Sequence, residues 1–150
     1  MELERYDFKV TANRYLFISM GPKGRIKKMV KFDLHRGGRP AFYTLSFGDW
    51  LTGEMIDDKI ITNNRDSHKI LATVAATVVD FMDKNPDALI LAMGSTPART
   101  RLYQMNINKY LPMIGALFVV EGFIRGAWQP FKYGPTYTAF LLKHKKYLNL

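Results

Sequence analysis

No cysteine occurs in the 150 residues. That excludes a disulfide framework, a thiolate metal site, an iron–sulfur cluster and a cysteine nucleophile together. Long apolar runs are missing too: stretches such as Ala116 to Val120 are far too short to span a bilayer. The opening Met1-Glu2-Leu3-Glu4 is acidic where a secretory leader would be basic and then apolar. These features predict a cytoplasmic protein with no membrane association. Metal-binding spacing is also absent. His35, His68 and His144 lie far apart, and Glu54, Asp49, Asp57 and Asp58 match no cation loop, so neither a metal nor a cofactor is expected. Acid is scarce overall, with 13 Asp+Glu against 22 Lys+Arg and a formal net charge of +9. What is plentiful is apolar and aromatic: a hydrophobic fraction of 47% with ten Phe and eight Tyr is too high for a disordered chain.

Hydrophobic periodicity changes along the chain. Tyr6 to Val10, Tyr15 to Met20, Arg25 to Phe32 and Ala41 to Phe47 read as strands in hairpin order, with turns at Gly21-Pro22-Lys23-Gly24 and Gly37-Gly38-Arg39-Pro40. Gly48-Asp49 should end the fourth, and Ile56 to Ile61 is a weaker candidate. From Asp66 the period turns helical. Ile70, Leu71, Val74, Ala75, Val78, Val79 and Met82 predict a helix over Ser67 to Lys84, with Asp66 as N-cap and Asn85-Pro86 as stop. Ala88 to Met93 reads as an inner strand, and Pro97 to about Tyr110 as a second helix ended by Pro112 and Gly115. Leu117 to Ile124 and Thr136 to Lys143 would be closing strands around a turn near Arg125-Gly126. The expectation is a single α+β domain over residues 1–150, with two main helices packed on a mostly antiparallel sheet built from an N-terminal meander, an inner strand and a C-terminal hairpin.

Charge is concentrated in two segments. Seven basic residues and one acid, Asp33, lie between Lys23 and Arg39, and the last nineteen residues add Lys132, Lys143, Lys145 and Lys146 with no acid. If Arg25 to Phe32 is a strand, its period of two puts Arg25, Lys27, Met29 and Lys31 on one face and Lys28 on the other. Lys23, Arg25, Lys27, Lys28 and Lys31 are therefore candidates for binding nucleic acid, a polyanion suited to a chain this basic. The alternative is that these lysines keep strand edges soluble.

The second helix departs from a local rule. Helix N-termini favour acids, because their unpaired amides carry partial positive charge, yet this one places Arg99 and Arg101 in its first two turns. Ser95 and Thr96 hydroxyls, free amides and the two guanidinium groups would make a phosphate site at the exit of a strand. Tyr103 shares a face with Arg99. The competing reading has the arginines paired with structural acids such as Asp49, Asp57 or Asp58. Catalytic candidates for RNA cleavage are Arg99 and Arg101 on the phosphate, with Tyr103 or His68 moving protons.

The stretch Gly94-Ser-Thr-Pro-Ala-Arg-Thr-Arg-Leu-Tyr103 resembles a family of small proteins of unknown function from Bacteroidota. So do Gly21-Pro-Lys-Gly-Arg-Ile-Lys-Lys28, Leu45-Ser-Phe-Gly-Asp49 and Leu71-Ala-Thr-Val-Ala-Ala76. The resemblance covers nearly the whole chain. It implies one half of a two-gene toxin–antitoxin or phage-defence unit, with a small acidic partner encoded alongside, and supplies no mechanism. Three functions stand open. The first is an RNA-interacting toxin-like protein, RNA ahead of DNA, acting as a metal-independent endoribonuclease. The second is a non-catalytic nucleic-acid-binding or protein-interaction module. The third is a small phosphate- or nucleotide-binding enzyme.

Overall fold

The computed structural model describes residues 4–35, 42–53, 55–57 and 64–145. Among the described residues nine strands and three helices form. They are β1 (Lys9–Thr11), β2 (Arg14–Gly21), β3 (Gly24–His35), β4 (Phe42–Thr52), β5 (Met55–Asp57), α1 (Ser67–Lys84), β6 (Leu89–Ala92), α2 (Pro97–Lys109), α3 (Leu111–Leu117), β7 (Phe118–Ile124), β8 (Ala127–Pro130) and β9 (Ala139–His144). Hydrogen bonding runs in the order β1-β2-β3-β4-β6-β9-β7-β8, with β5 on β4. The class is α+β and the sheet mostly antiparallel; β4 and β6 run parallel, and the connection between them carries α1, as a parallel pair requires. Contacts divide the chain into two compact units, Met1–Phe32 with Ser46–Phe81 and Asp33–Leu45 with Met82–Leu150.

In the first unit β2 and β3 pair from Arg14↔Lys31 to Gly21↔Gly24. Gly24 closes the turn at φ +86, a left-handed conformation that suits glycine. Alternation along β2 buries Tyr15, Phe17 and Ser19 on one face. There Phe32 stacks on Phe81 of α1 at 4.2 Å between centroids, and Tyr15 meets Phe32 edge-on at 5.6 Å. The residues of α1 that are most deeply buried include Thr73 and Thr77, both 0% exposed. Their hydroxyls donate to Lys69 O and Val74 O, so the polar groups are satisfied within the helix. The apolar stripe read from the sequence is therefore rotated, and two threonines stand in the packed face.

In the second unit β9 lies between β6 and β7, with Ala92↔Phe140 on one side and Gly122↔Phe140 on the other. Ala92, Tyr137 and Phe140 form a buried cluster against which Tyr103 and Ile107 of α2 pack, together with Ile124 and Phe131. The Tyr137 ring covers Gly122, where an added Cβ would stand 2.3 Å from Cδ1.

Several boundaries differ from the sequence reading, beginning with the first strand, which is Lys9–Thr11 rather than Tyr6 to Val10. The β4 strand continues through Gly48-Asp49 to Thr52, held there by pairing with β5. Pro112 and Gly115 do not end helical structure but lie in α3, where proline in the first turn forfeits no intrahelical bond. All four residues of β8 are exposed, so it carries no hydrophobic alternation to read. The last strand begins at Ala139 rather than Thr136. The predicted turn at Gly37-Gly38-Arg39-Pro40 and the continuation of Ile56 to Ile61 past Asp57 lie outside the described residues, as do Glu54, Asp58, Arg36 and Lys146.

Candidate nucleic-acid interface

Strand register decides which basic side chains share a surface. Lys31 stands opposite Arg14, Lys27 opposite Ile18 and Arg25 opposite Met20, while Lys9 of β1 stands opposite Leu16. Lys9, Arg14, Arg25, Lys27 and Lys31 thus lie on the face of the first unit's sheet turned away from Tyr15, Phe17 and Ser19. Lys9, Arg25 and Lys27 are exposed, and Arg14 and Lys31 half-buried. Leu16, Ile18 and Met20 are interleaved with them and at least partly exposed, whereas Met29, at the same alternation, is 2% exposed and covered. The Lys27 ammonium sits 5.4 Å from the centroid of the half-exposed Trp50 ring. Alternation places an acid on this face of β3 only at Asp33, beyond Lys31. Arg14 stands opposite Lys31, and its Nη1 donates to Asn13 O at 3.4 Å and to Phe32 O at 3.5 Å.

Lys28 does not join that face. It is 4% exposed and its ammonium pairs with the Asp49 carboxylate beside the Phe47 ring. The ridge is accordingly carried by its alternate neighbours, together with Lys9 and Arg14. Those two were missed because each is an isolated cation in sequence and joins the patch only through strand pairing.

The turn leading into Arg25 is fixed by a buried polar network. Asn64, 1% exposed, accepts the Lys23 N–H at 2.7 Å and donates to Gly24 O at 3.0 Å and to Ser19 Oγ at 3.1 Å. Gly21 allows this approach, since a Cβ there would stand 2.1 Å from the Asn64 carbonyl oxygen. Asp66 Oδ2 accepts from Tyr6 Oη at 2.6 Å and from Ser19 Oγ at 2.5 Å. Burial, then the bond to Asp66, pushes the Tyr6 hydroxyl above the ordinary tyrosine pKa. Asp66 does occupy the N-cap position of α1, its carbonyl accepting from Ile70 N at 2.9 Å, while its carboxylate serves Tyr6 and Ser19. Lys23 is exposed on the turn that Asn64 ties down.

At the start of α2, Thr96 is the N-cap, its hydroxyl accepting the Arg99 N–H at 3.2 Å. Thr100 Oγ1 accepts the Gly94 N–H at 3.0 Å, drawing the exit of β6 onto the helix. Ser95 and Thr96 are exposed. Arg99 is 9% exposed, and its Nη2 is buried with no acceptor. Arg101 is exposed. Two helical positions subtend about 200°, so these guanidinium groups diverge instead of converging as expected. Tyr103, partly buried, packs against the cluster of Ala92, Tyr137 and Phe140. His68 is exposed in the first turn of α1, within the first unit, whereas the α2 start belongs to the second. Of the acids weighed as partners, Asp49 is held by Lys28.

Among the described residues no group of three or more His, Asp or Glu is placed to hold a metal ion, and no helix is long and apolar enough to cross a membrane. A family model described as "Family of unknown function (DUF6934)" matches residues 2–145. No curated protein and no solved structure matches the chain.

Proposed function

The chain belongs to the DUF6934 family, whose function is unknown, and we propose that it binds nucleic acid, RNA ahead of DNA, on the outward face of β1–β4. The observation that carries this reading is the gathering of Lys9, Arg14, Arg25, Lys27 and Lys31 on one sheet face, with Trp50 beside Lys27. Cations on a sheet contact phosphates, while interleaved apolar and aromatic groups receive unstacked bases. Single-stranded RNA exposes its bases for such contact, whereas duplex DNA keeps them stacked.

Binding is favoured over cleavage. Tyr103 is partly buried against the cluster of Ala92, Tyr137 and Phe140, and Arg99 is buried where Arg101 is exposed. Cleavage would in addition need a group beside the phosphate able to deprotonate a 2′-hydroxyl, for which Tyr103 and His68 are the candidates. The resemblance to members of two-gene units gives the same face a second occupant, a small acidic partner that would compete with RNA. Its affinity would fall with salt.

The test is fluorescence anisotropy with a single-stranded oligoribonucleotide. Arg25→Glu combined with Lys27→Glu should weaken binding by tenfold or more, as expected when two phosphate-contacting cations become anions. Both side chains are exposed, so the melting temperature should hardly change. Unchanged affinity in that variant would remove the sheet face as the binding surface.

A further inference from the structure

We propose that the start of α2 is a phosphate site in which Arg99 supplies a buried positive charge. It would take inorganic phosphate or the phosphate of a mononucleotide. Arginine stays protonated in proteins, so it cannot escape burial by losing its charge. Yet Arg99 is 9% exposed, its Nη2 has no acceptor, and no acidic side chain among the described residues pairs with it. A buried charge without a counter-charge opposes folding, and an anion from solution would relieve it.

The surroundings suit an anion. Side chains on a helix lean towards its N-terminus, so Arg99, at the third helical position, runs back along the first turn. Gly94 lies against it there: a Cβ on Gly94 would stand 2.4 Å from Arg99 Cβ and 2.5 Å from Thr100 N. Only glycine lets the β6 exit and the arginine stem share this space. The helix ends its first turn with some amides already used, since the Arg99 N–H goes to Thr96 Oγ1 and the Thr100 N–H to Thr96 O. The Ala98 N–H and the Ser95 hydroxyl remain at the mouth, both residues exposed. One guanidinium, one amide and one hydroxyl, assisted by the helix dipole, match the several acceptor oxygens of a phosphate better than the two of a carboxylate. Proline at the first helical position contributes no N–H that a ligand would leave unpaired. Arg101, on another side of the helix, adds long-range attraction and not a contact.

The full chain is titrated with inorganic phosphate, adenosine 5′-monophosphate and adenosine, following thermal melting and calorimetry. Phosphate should raise the melting temperature and adenosine should not. Monophosphate binding tenfold tighter than inorganic phosphate assigns the site to a nucleotide; equal affinity assigns it to free phosphate. Arg99→Met should melt no lower than the parent in phosphate-free buffer, because it removes an unpaired buried charge, and should lose at least tenfold in phosphate affinity. Arg99→Lys should fall between the two, keeping the charge without the planar fork. The proposal is overturned if phosphate gives no shift, if adenosine binds as well as its monophosphate, or if Arg99→Met keeps the phosphate response. Should Arg99→Met fail to fold, nitrogen-15 spectra of the parent chain decide: the Arg99 guanidinium resonance must move on adding phosphate, and a stationary resonance rejects the site.

Discussion

Lys27 and Lys28 are adjacent in the chain and meet opposite surroundings, because successive side chains on a strand leave opposite faces. Lys27 is exposed beside Trp50, and Lys28 is buried against Asp49. Lys28→Ala should cost about 3–5 kcal/mol by removing the buried ammonium that pairs with Asp49. Lys27→Ala should stay within about 0.5 kcal/mol. Denaturant unfolding of the two variants measures the contrast. Tyr15 adds a pH dependence. Burial, and then its 2.7 Å bond to Asp80 Oδ2, raises its hydroxyl pKa well above the ordinary 10.0. The unfolded chain therefore loses this proton at lower pH than the folded one, and stability is retained below pH 10 and declines above it. Tyr6, shifted the same way, adds to the decline. Tyr15→Phe should flatten the alkaline limb of a stability–pH curve while costing about 1–3 kcal/mol at neutral pH, since Asp80 loses a donor. The separation of Lys27 from Lys28 was legible from period alone. The partner Asp49 was not, because a contact across strands depends on a register that composition does not encode.

Elements with strong periodicity or a clear cap could be read directly. The helices α1 and α2 were foreseen at Ser67 and Pro97, and Thr96 does cap α2. The packing face of α1 was misjudged because Thr73 and Thr77 count as polar in a sequence, while a helix can satisfy their hydroxyls internally. Arg99 and Arg101 stand out in the sequence because a helix start disfavours cations, but the helical wheel, not the shared motif, sets their directions. The loop before β9 depends on α2 through a side chain with no sequence signature. Gln104 Nε2 donates to Pro135 O at 2.6 Å, and its Oε1 accepts the Tyr137 N–H at 2.9 Å. Gln104→Glu would set a carboxylate oxygen against the Pro135 carbonyl. A loss of about 1–3 kcal/mol is expected, with amide hydrogen exchange faster around Tyr137, which a comparison of exchange rates in the two proteins would reveal.

For the molecule as a whole, the imbalance of 22 Lys+Arg over 13 Asp+Glu becomes functional only where geometry collects it. If the five cations of the β1–β3 face each neutralise one phosphate of a single strand, log affinity against log salt should slope at about −3.5. Titrations across a range of salt concentrations test this, and a slope near zero would contradict the proposed interface. The position of β9 has a separate bearing on how the protein is made. The ribosome delivers β6 and β7 well before the strand that belongs between them, with Ala139–His144 emerging last of the described strands. Until then both neighbours carry unpaired edges with apolar sequences, Leu-Ile-Leu-Ala and Phe-Val-Val-Glu-Gly-Phe-Ile, of the kind that recruit one another between nascent chains. Completion of this half of the sheet thus waits on Ala139–His144, and a chain interrupted before that strand would keep both edges open to chaperones and proteases.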